Sequence, residues 1–245
     1  LIMAFAALEL VTISFYVLVA YMRGNTGTLE AGVKYLILGA LSTGFFVYGI
    51  TWIFGLTGET HLAKIATKLA LLQGSDTAIL FALTLVLIGL GFKVAAVPFQ
   101  SWVPDVYEGA PTPITAYLSI ASKAAGMLLL LRIVEPFLGV PSISQKVLAV
   151  LSIIAGATMI FGNLAALPQN NFKRLLAYSS IGHAGYLLVA VASVGGPNSA
   201  FGTVGAAIGF YLFAYLLMTL LGFLALTLVS TQSRGDDISH FNGLS

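Results

Sequence analysis

The sequence predicts an all-α fold, a polytopic transmembrane helix bundle containing a discontinuous helix. Two properties of the whole chain and one local pattern predict it. Of the 245 residues, 58% are hydrophobic and 8% charged, whereas soluble domains carry roughly 25% charged residues; the mean hydropathy is +0.98. Apolar runs of about 20 residues, each long enough to cross a bilayer as a helix, recur along nearly the whole length. One of these runs meets Pro98, Pro104, Pro111 and Pro113 in quick succession, and each proline removes a helical hydrogen bond.

The same properties exclude several classes of function. With 11 Lys+Arg against 9 Asp+Glu the net charge is +2. No basic stripe is present to track a phosphate backbone, so nucleic acid is not an expected partner. The lack of cysteine excludes thiol catalysis, zinc–thiolate sites, disulfides and Cys-held iron–sulfur clusters, so an electron-carrying cofactor would be held elsewhere. The sequence also lacks GxxxxGK[ST], HExxH and GxSxG, and has no GxGxxG following a strand. Bond-breaking chemistry is not expected within this chain.

Taken in order, runs bounded by charge, Pro or Gly give about seven spans, at residues 1–22, 31–54, 77–99, 114–133, 147–167, 175–194 and 200–230. The first opens on Leu1 already inside apolar sequence, with neither a charged leader nor an initiator Met, so a fragment cut at or before its first helix is expected. Residues 60–72 place Leu62, Ile65, Leu69 and Leu72 on one helical face and His61, Lys64 and Lys68 on another, the pattern of a helix lying at the membrane interface. The third span runs into the Pro-rich segment as far as about Gly109, too long for one straight crossing, which predicts two half-helices with Lys93 near the break. The alternative is a continuous helix ending at Pro98, with Lys93 snorkelling and a surface loop after it. The last span is long enough to tilt, and residues 231–245 read as a polar loop. Alternating the spans puts Arg23, Lys173, Arg174 and Arg234 on one side and Lys64, Lys68, Arg132 and Lys146 on the other. The compact Lys173–Arg174 pair, read as part of a short loop, turns its side toward the cytoplasm.

Four charged residues fall within apolar spans: Glu9, Lys34, Lys93 and Lys123. An ionisable group near the bilayer centre costs at least about 2.5–3.5 kcal/mol on insertion scales, so it faces the bundle interior, a partner or water and marks an ion path. Lys34 is about four residues into its predicted helix, roughly 6 Å deep, where snorkelling and function are both open. Lys123, about ten residues in, is near mid-membrane, and Glu9 is roughly 21 Å from the Arg23 end of its helix. Desolvation disfavours a buried ammonium and a nearby carboxylate favours it. A Glu9–Lys93 pair that opens and closes would therefore alternate the amine between releasing and holding a proton, with Lys123 as a lateral acceptor. His183 sits among Ser179, Ser180 and Tyr186 and is either a relay or a hydrogen-bonded packing residue. His61 and His240 read as loop histidines. Asp105 and Glu108 are capping or loop residues, or the lining of a proton mouth.

The stretch from Phe92 to Gly126, FKVAAVPFQSWVPDVYEGAPTPITAYLSIASKAAG, closely resembles the signature of the antiporter-like membrane subunits of proton-pumping NADH-quinone oxidoreductase, respiratory complex I. GVKYLILGALSTGFFVYGITWIFGLTG from Gly32 and NNFKRLLAYSSIGHAGYLLVA from Asn170 agree with it, so the similarity extends over essentially the whole chain. The resemblance implies an inverted-repeat antiporter-like fold, with residues 1–135 forming most of the first repeat and residues 136–245 the opening helices of the second, ahead of its broken helix. It implies proton translocation coupled to NADH (or ferredoxin) oxidation and quinone reduction in other subunits. No cofactor is expected in this chain; flavin and iron–sulfur clusters belong to partner subunits. The expected partners are the other membrane-arm subunits and the lipid bilayer, in a bacterial-type inner membrane or an organelle equivalent.

By the same resemblance Glu9 is the acidic member of the charged pair, Lys93 the lysine of the first broken helix and Lys123 the central-axis lysine. Lys34 is a lysine that modulates the pair, and His183 matches a position on a second-repeat helix. Two rival classes remain at this stage. One is a secondary cation/proton antiporter without redox partners; the other is a membrane scaffold whose buried charges only hold helices together.

Overall fold

A computed structural model describes residues 1–72, 74–195, 201–231 and 235–241. Its helices, in chain order, are α1 (Ile2–Val19), α2 (Thr26–Thr57), α3 (Leu62–Leu69), α4 (Asp76–Val94), α5 (Trp102–Gly109), α6 (Thr112–Tyr117), α7 (Lys123–Leu138), α8 (Pro141–Ala166), α9 (Phe172–Ala192) and α10 (Phe201–Ser230). Among the described residues, seven helices are long and apolar enough to cross a membrane, with α6 and α7 together forming one of them. The chain is an all-α integral membrane bundle, as its composition predicts.

The departures from the predicted spans have local causes. Helix α2 begins five residues before the expected start because the Asn25 side chain caps it, accepting from Gly27 N at 2.9 Å and Thr28 N at 3.4 Å. Lys34 therefore lies eight residues into its helix, about 12 Å along the axis and not 6 Å. At the other end Gly58, at φ 69°, supplies the left-handed residue that ends the helix. Helix α3 occupies the middle of the predicted interfacial segment; Ile65 and Leu69 are buried, Lys64 and Lys68 exposed, and the helix packs on α7 and the end of α2.

The predicted break is present. Helix α4 stops at Val94, Ala95 takes a left-handed φ of 64°, and the Val97–Pro98 peptide is cis before α5 begins. Non-helical backbone at this depth needs partners from the protein. They come from three directions: Trp102 Nε1 donates to Phe92 O (3.0 Å), Val97 N donates to Thr158 Oγ1 on α8 (3.0 Å), and Ala96 N donates to Gly91 O (2.8 Å). The Trp102 ring, flanked by Tyr35 at 4.9 Å and Phe92 at 5.1 Å, fills the corner between the two half-helices.

A π-helical turn at Leu118–Ser122 joins α6 to α7 and sits directly before Lys123. The span containing it continues to Leu138, so the boundary expected at 135/136 falls inside α7. Helices α8 and α9 approach closely because Gly162 meets Gly182 backbone and Gly185 meets Met159; a Cβ on Gly162 would lie 2.5 Å from Gly182 N. Lys173 and Arg174 are not loop residues: they occupy the first turn of α9, where Lys173 is buried and pairs with Asp236 at 3.0 Å. Its charge is paired within the protein. Arg234, counted on the same side, and Ala200, where the last span was expected to begin, lie outside the described residues.

Candidate functional site

Helix α1 presents Glu9 and Thr12 one turn apart on one face. Glu9 Oε1 accepts from Thr43 Oγ1 of α2 at 2.9 Å and lies 3.7 Å from Lys93 Nζ. Lys93, 5% exposed, donates to Thr12 Oγ1, which itself donates to Leu8 O at 2.7 Å. The Glu9–Lys93 separation is an ion pair but too long for a hydrogen bond. Lys93 is also in the last turn of α4, whose unpaired carbonyls carry partial negative charge. The helix break thus creates a C-terminus inside the membrane, and the lysine sits at it.

Lys123 opens α7. It is buried, and its Nζ donates to both the carbonyl and the hydroxyl of Ser180 on α9. The Tyr215 ring of α10 lies 5.7 Å from the ammonium, within cation–π range. His183, one turn beyond Ser180, shares a 2.6 Å hydrogen bond between Nδ1 and Tyr211 Oη, and its ring is 5.0 Å from Tyr215. Helices α4 and α7 meet where Gly126 faces Lys93: a Cβ on Gly126 would be 3.4 Å from Lys93 Cβ. Gly126 is one turn from Lys123 on α7.

The structure brings Glu9 to Lys93 and places Lys123 and His183 around Tyr215. It does not bring Lys34 to that pair. Lys34, its side chain 42% exposed, bonds Glu30 and Asp105, each at 2.7 Å. Arg174 reaches the same Asp105 at 2.9 Å and Glu108 at 2.7 Å. These residues line a polar cavity of about 630 Å³ where α2, α5 and α9 converge. Asp105 and Glu108 are ion-pair partners, and neither caps a helix end. Burial raises the Asp105 carboxyl, but hydrogen bonds from Lys34 and Arg174 outweigh it and hold the group below the ordinary aspartate range. Because its folded value is depressed, its stabilising contribution is complete above the unfolded value of about 3.9 and disappears as pH falls through the folded one. Asp105→Asn is expected to lower stability by about 1 kcal/mol at neutral pH. In thermal unfolding the difference from wild type should shrink below pH 3.9; a difference that persists into strong acid contradicts the assignment.

Several contacts escaped the sequence. Thr12 and Thr43 hold the charged pair, yet threonine in an apolar helix ordinarily bonds its own helix backbone. Tyr211 and Tyr215 left a usable signal, two tyrosines spaced i, i+4 on a helix without a charged residue. Among the described residues no group of His, Asp or Glu is arranged to hold a metal ion.

Residues 1–245 match the family described as NADH:quinone oxidoreductase/Mrp antiporter, transmembrane. The chain is 44% identical over 252 residues to NADH-quinone oxidoreductase subunit N of Chlorobium chlorochromatii (strain CaD3), an alignment covering 100% of this chain and 48% of that protein. In three dimensions it is similar to a chain of the membrane-bound sulfane sulfur reductase, an archaeal respiratory membrane complex (TM-score 0.85, 31% identity, 98% of this chain and 47% of the other). It is also similar to a chain of respiratory complex I from Thermus thermophilus, solved with bound aureothin (TM-score 0.73, 39% identity, 91% and 45%). The chain spans about half the length of the curated relatives it matches.

Proposed function

Given that the chain belongs to the NADH:quinone oxidoreductase/Mrp antiporter transmembrane family, we propose that it moves protons within the membrane arm of a complex I-like NADH-quinone oxidoreductase. NADH oxidation and quinone reduction occur in other subunits, which carry the flavin and iron–sulfur clusters. The absence of cysteine supports a chain without a redox centre of its own. The observation that carries the function is the row of ionisable groups within the bundle beside interrupted helices: half-buried Glu9 with buried Lys93 at the α4 break, then buried Lys123, then half-buried His183. Ionisable groups are rarely retained at such depth unless an ion or proton uses them.

In this scheme residues 1–135 are most of a first inverted repeat and residues 136–245 open the second. Closure of Glu9 on Lys93 holds the ammonium; their parting favours release of the proton, and Lys123 across the Gly126 crossing receives it. Onward transfer uses His183, whose imidazole accepts at one nitrogen and donates at the other. Lys34 acts at a distance from the pair, through Asp105 and half-helix α5. Glu9→Ala in the full-length protein is expected to lower the proton-to-electron ratio of the assembled complex in inverted vesicles. An unchanged ratio contradicts the switch. Sodium-dependent exchange by the full-length protein without redox turnover would instead identify a secondary cation/proton antiporter.

A further inference from the structure

Helix α1 carries a further polar group on the face that bears Glu9. Glu9 and Tyr16 are seven residues apart, two turns, and so lie one above the other. Glu9 Oε1 takes the Thr43 hydrogen bond and faces Lys93, whereas Glu9 Oε2 has no hydrogen-bond partner among the described residues. Tyr16 Oη is buried and has none among them either. A buried hydroxyl left unpaired is costly to keep, so one that is kept calls for a partner.

The surroundings of Tyr16 hold its hydroxyl in place. Its ring stands edge-on to Tyr35 at 5.0 Å, and a Cβ on Gly39 of α2 would lie 2.1 Å from Oη. Glycine at that position is what leaves room for the hydroxyl. Long side chains on a helix point back toward its N-terminus, so Tyr16 reaches along α1 in the direction of Glu9. On α2, Gly39 marks the level of the hydroxyl and Thr43 the level of the carboxylate it bonds; these residues are about 6 Å apart along the helix. Two hydrogen bonds of about 2.8 Å in line through one water span the same distance. The Glu9 side chain is 16% exposed, so a water-sized sphere can reach it.

We propose that Tyr16 is a positioning residue for Glu9: its hydroxyl donates to one water, and that water donates to Glu9 Oε2. Separating a buried ion pair strands a charge. With the water in place the carboxylate keeps two hydrogen bonds, from Thr43 and from the water, when Lys93 parts from it. A parted carboxylate with too few donors recloses on Lys93 or takes its proton, and both return the pair to its starting state. Tyr16 thereby sustains the parted state, in which the proton leaves Lys93 for Lys123, and itself gains and loses no proton. This rests on the opening and closing of the Glu9–Lys93 pair proposed above.

The test uses the full-length protein in its assembled complex, in inverted vesicles. Tyr16→Phe keeps the ring against Tyr35 and removes only the hydroxyl. It is expected to lower the proton-to-electron ratio, by less than Glu9→Ala does. Gly39→Ala keeps the hydroxyl but pushes it aside, since the colliding atoms are the outer end of the Tyr16 ring, and should lower the ratio as well. In infrared difference spectra the carboxylate band lost in Glu9→Gln should shift in Tyr16→Phe, and a water O–H band lost in Tyr16→Phe should move in water labelled with heavy oxygen. The double variant of Glu9→Gln and Tyr16→Phe should lose no more than Glu9→Gln alone, because groups in one network are not additive. A wild-type ratio in Tyr16→Phe, a Glu9 band that it leaves in place, or the lack of a label-sensitive water band overturns the proposal. Losses that add in the double variant do the same, since Tyr16 would then act by packing alone. Glu9→Ala measured alongside separates the two levels. If it pumps normally, the Glu9–Lys93 switch itself fails; if it does not while Tyr16→Phe does, only the role of Tyr16 fails.

Discussion

Replacing Lys93 by Ala is expected to abolish coupled proton pumping while the complex still assembles and oxidises NADH. Lys93 is the hub of the α1–α4 contact, donating to Thr12 and facing Glu9 at 3.7 Å. Removing one partner of a buried ion pair usually costs about 3–5 kcal/mol because the other charge is stranded. Glu9 escapes much of that penalty, since its side chain is 16% exposed, keeps the Thr43 hydrogen bond, and can bind a proton. Folding should therefore survive where transport does not. Lys93→Arg sharpens the result. Arginine can fill the ion pair but never gives up its proton at working pH. A residue that only holds helices together is rescued by Arg; a proton carrier is not. Acidification of inverted vesicles, normalised to NADH oxidation, distinguishes them, and pumping by assembled Lys93→Arg contradicts the carrier role.

The second large effect is on assembly. Gly162→Leu is expected to prevent accumulation of the folded chain, because even the first carbon of a side chain there would lie 2.5 Å from Gly182 N and 3.0 Å from Tyr178 O. These are backbone atoms of a neighbouring helix and cannot rotate away. Overpacking within a core costs about 1–3 kcal/mol when side chains can yield, and more when they cannot. The whole α8–α9 contact would have to separate, and with it Ser180 and His183 on the far helix. Gly156→Leu on the same helix has open space at its Cβ and should be tolerated. Equal expression and detergent stability of Gly162→Leu and wild type would refute this packing.

Much of the fold is legible in the sequence because the bilayer imposes one length on every span. The seven crossings follow from hydropathy alone, and the helix break follows from prolines that no continuous helix could accommodate. The early start of α2 was also readable, since Asn25 before a polar first turn is a capping signal, but the apolar run begins only at Ala31 and drew the boundary there. The π turn was not readable. LSIAS contains neither Pro nor Gly, and its distortion accompanies the tertiary bonds of Lys123 to Ser180 on another helix. At the site, depth along the helices singled out Glu9, Lys93 and Lys123 as charges within the membrane without showing which would meet. Lys34 shows the limit of depth as a criterion: its helix is longer than the apolar run, and an acidic residue from the Pro-rich segment claims it. Asp105, read from sequence as a cap or mouth residue, is that partner.

The most direct test of the central claim is the proton-to-electron stoichiometry of the assembled complex in inverted vesicles, with Lys123→Ala beside wild type and assembly checked on a native gel. Lys123 is buried and donates to uncharged groups of Ser180, and the proposed route passes through it. Lost or strongly lowered pumping in an intact assembly is the predicted result. Pumping at the wild-type ratio would make Lys123 a packing residue and this chain a structural element of the membrane arm.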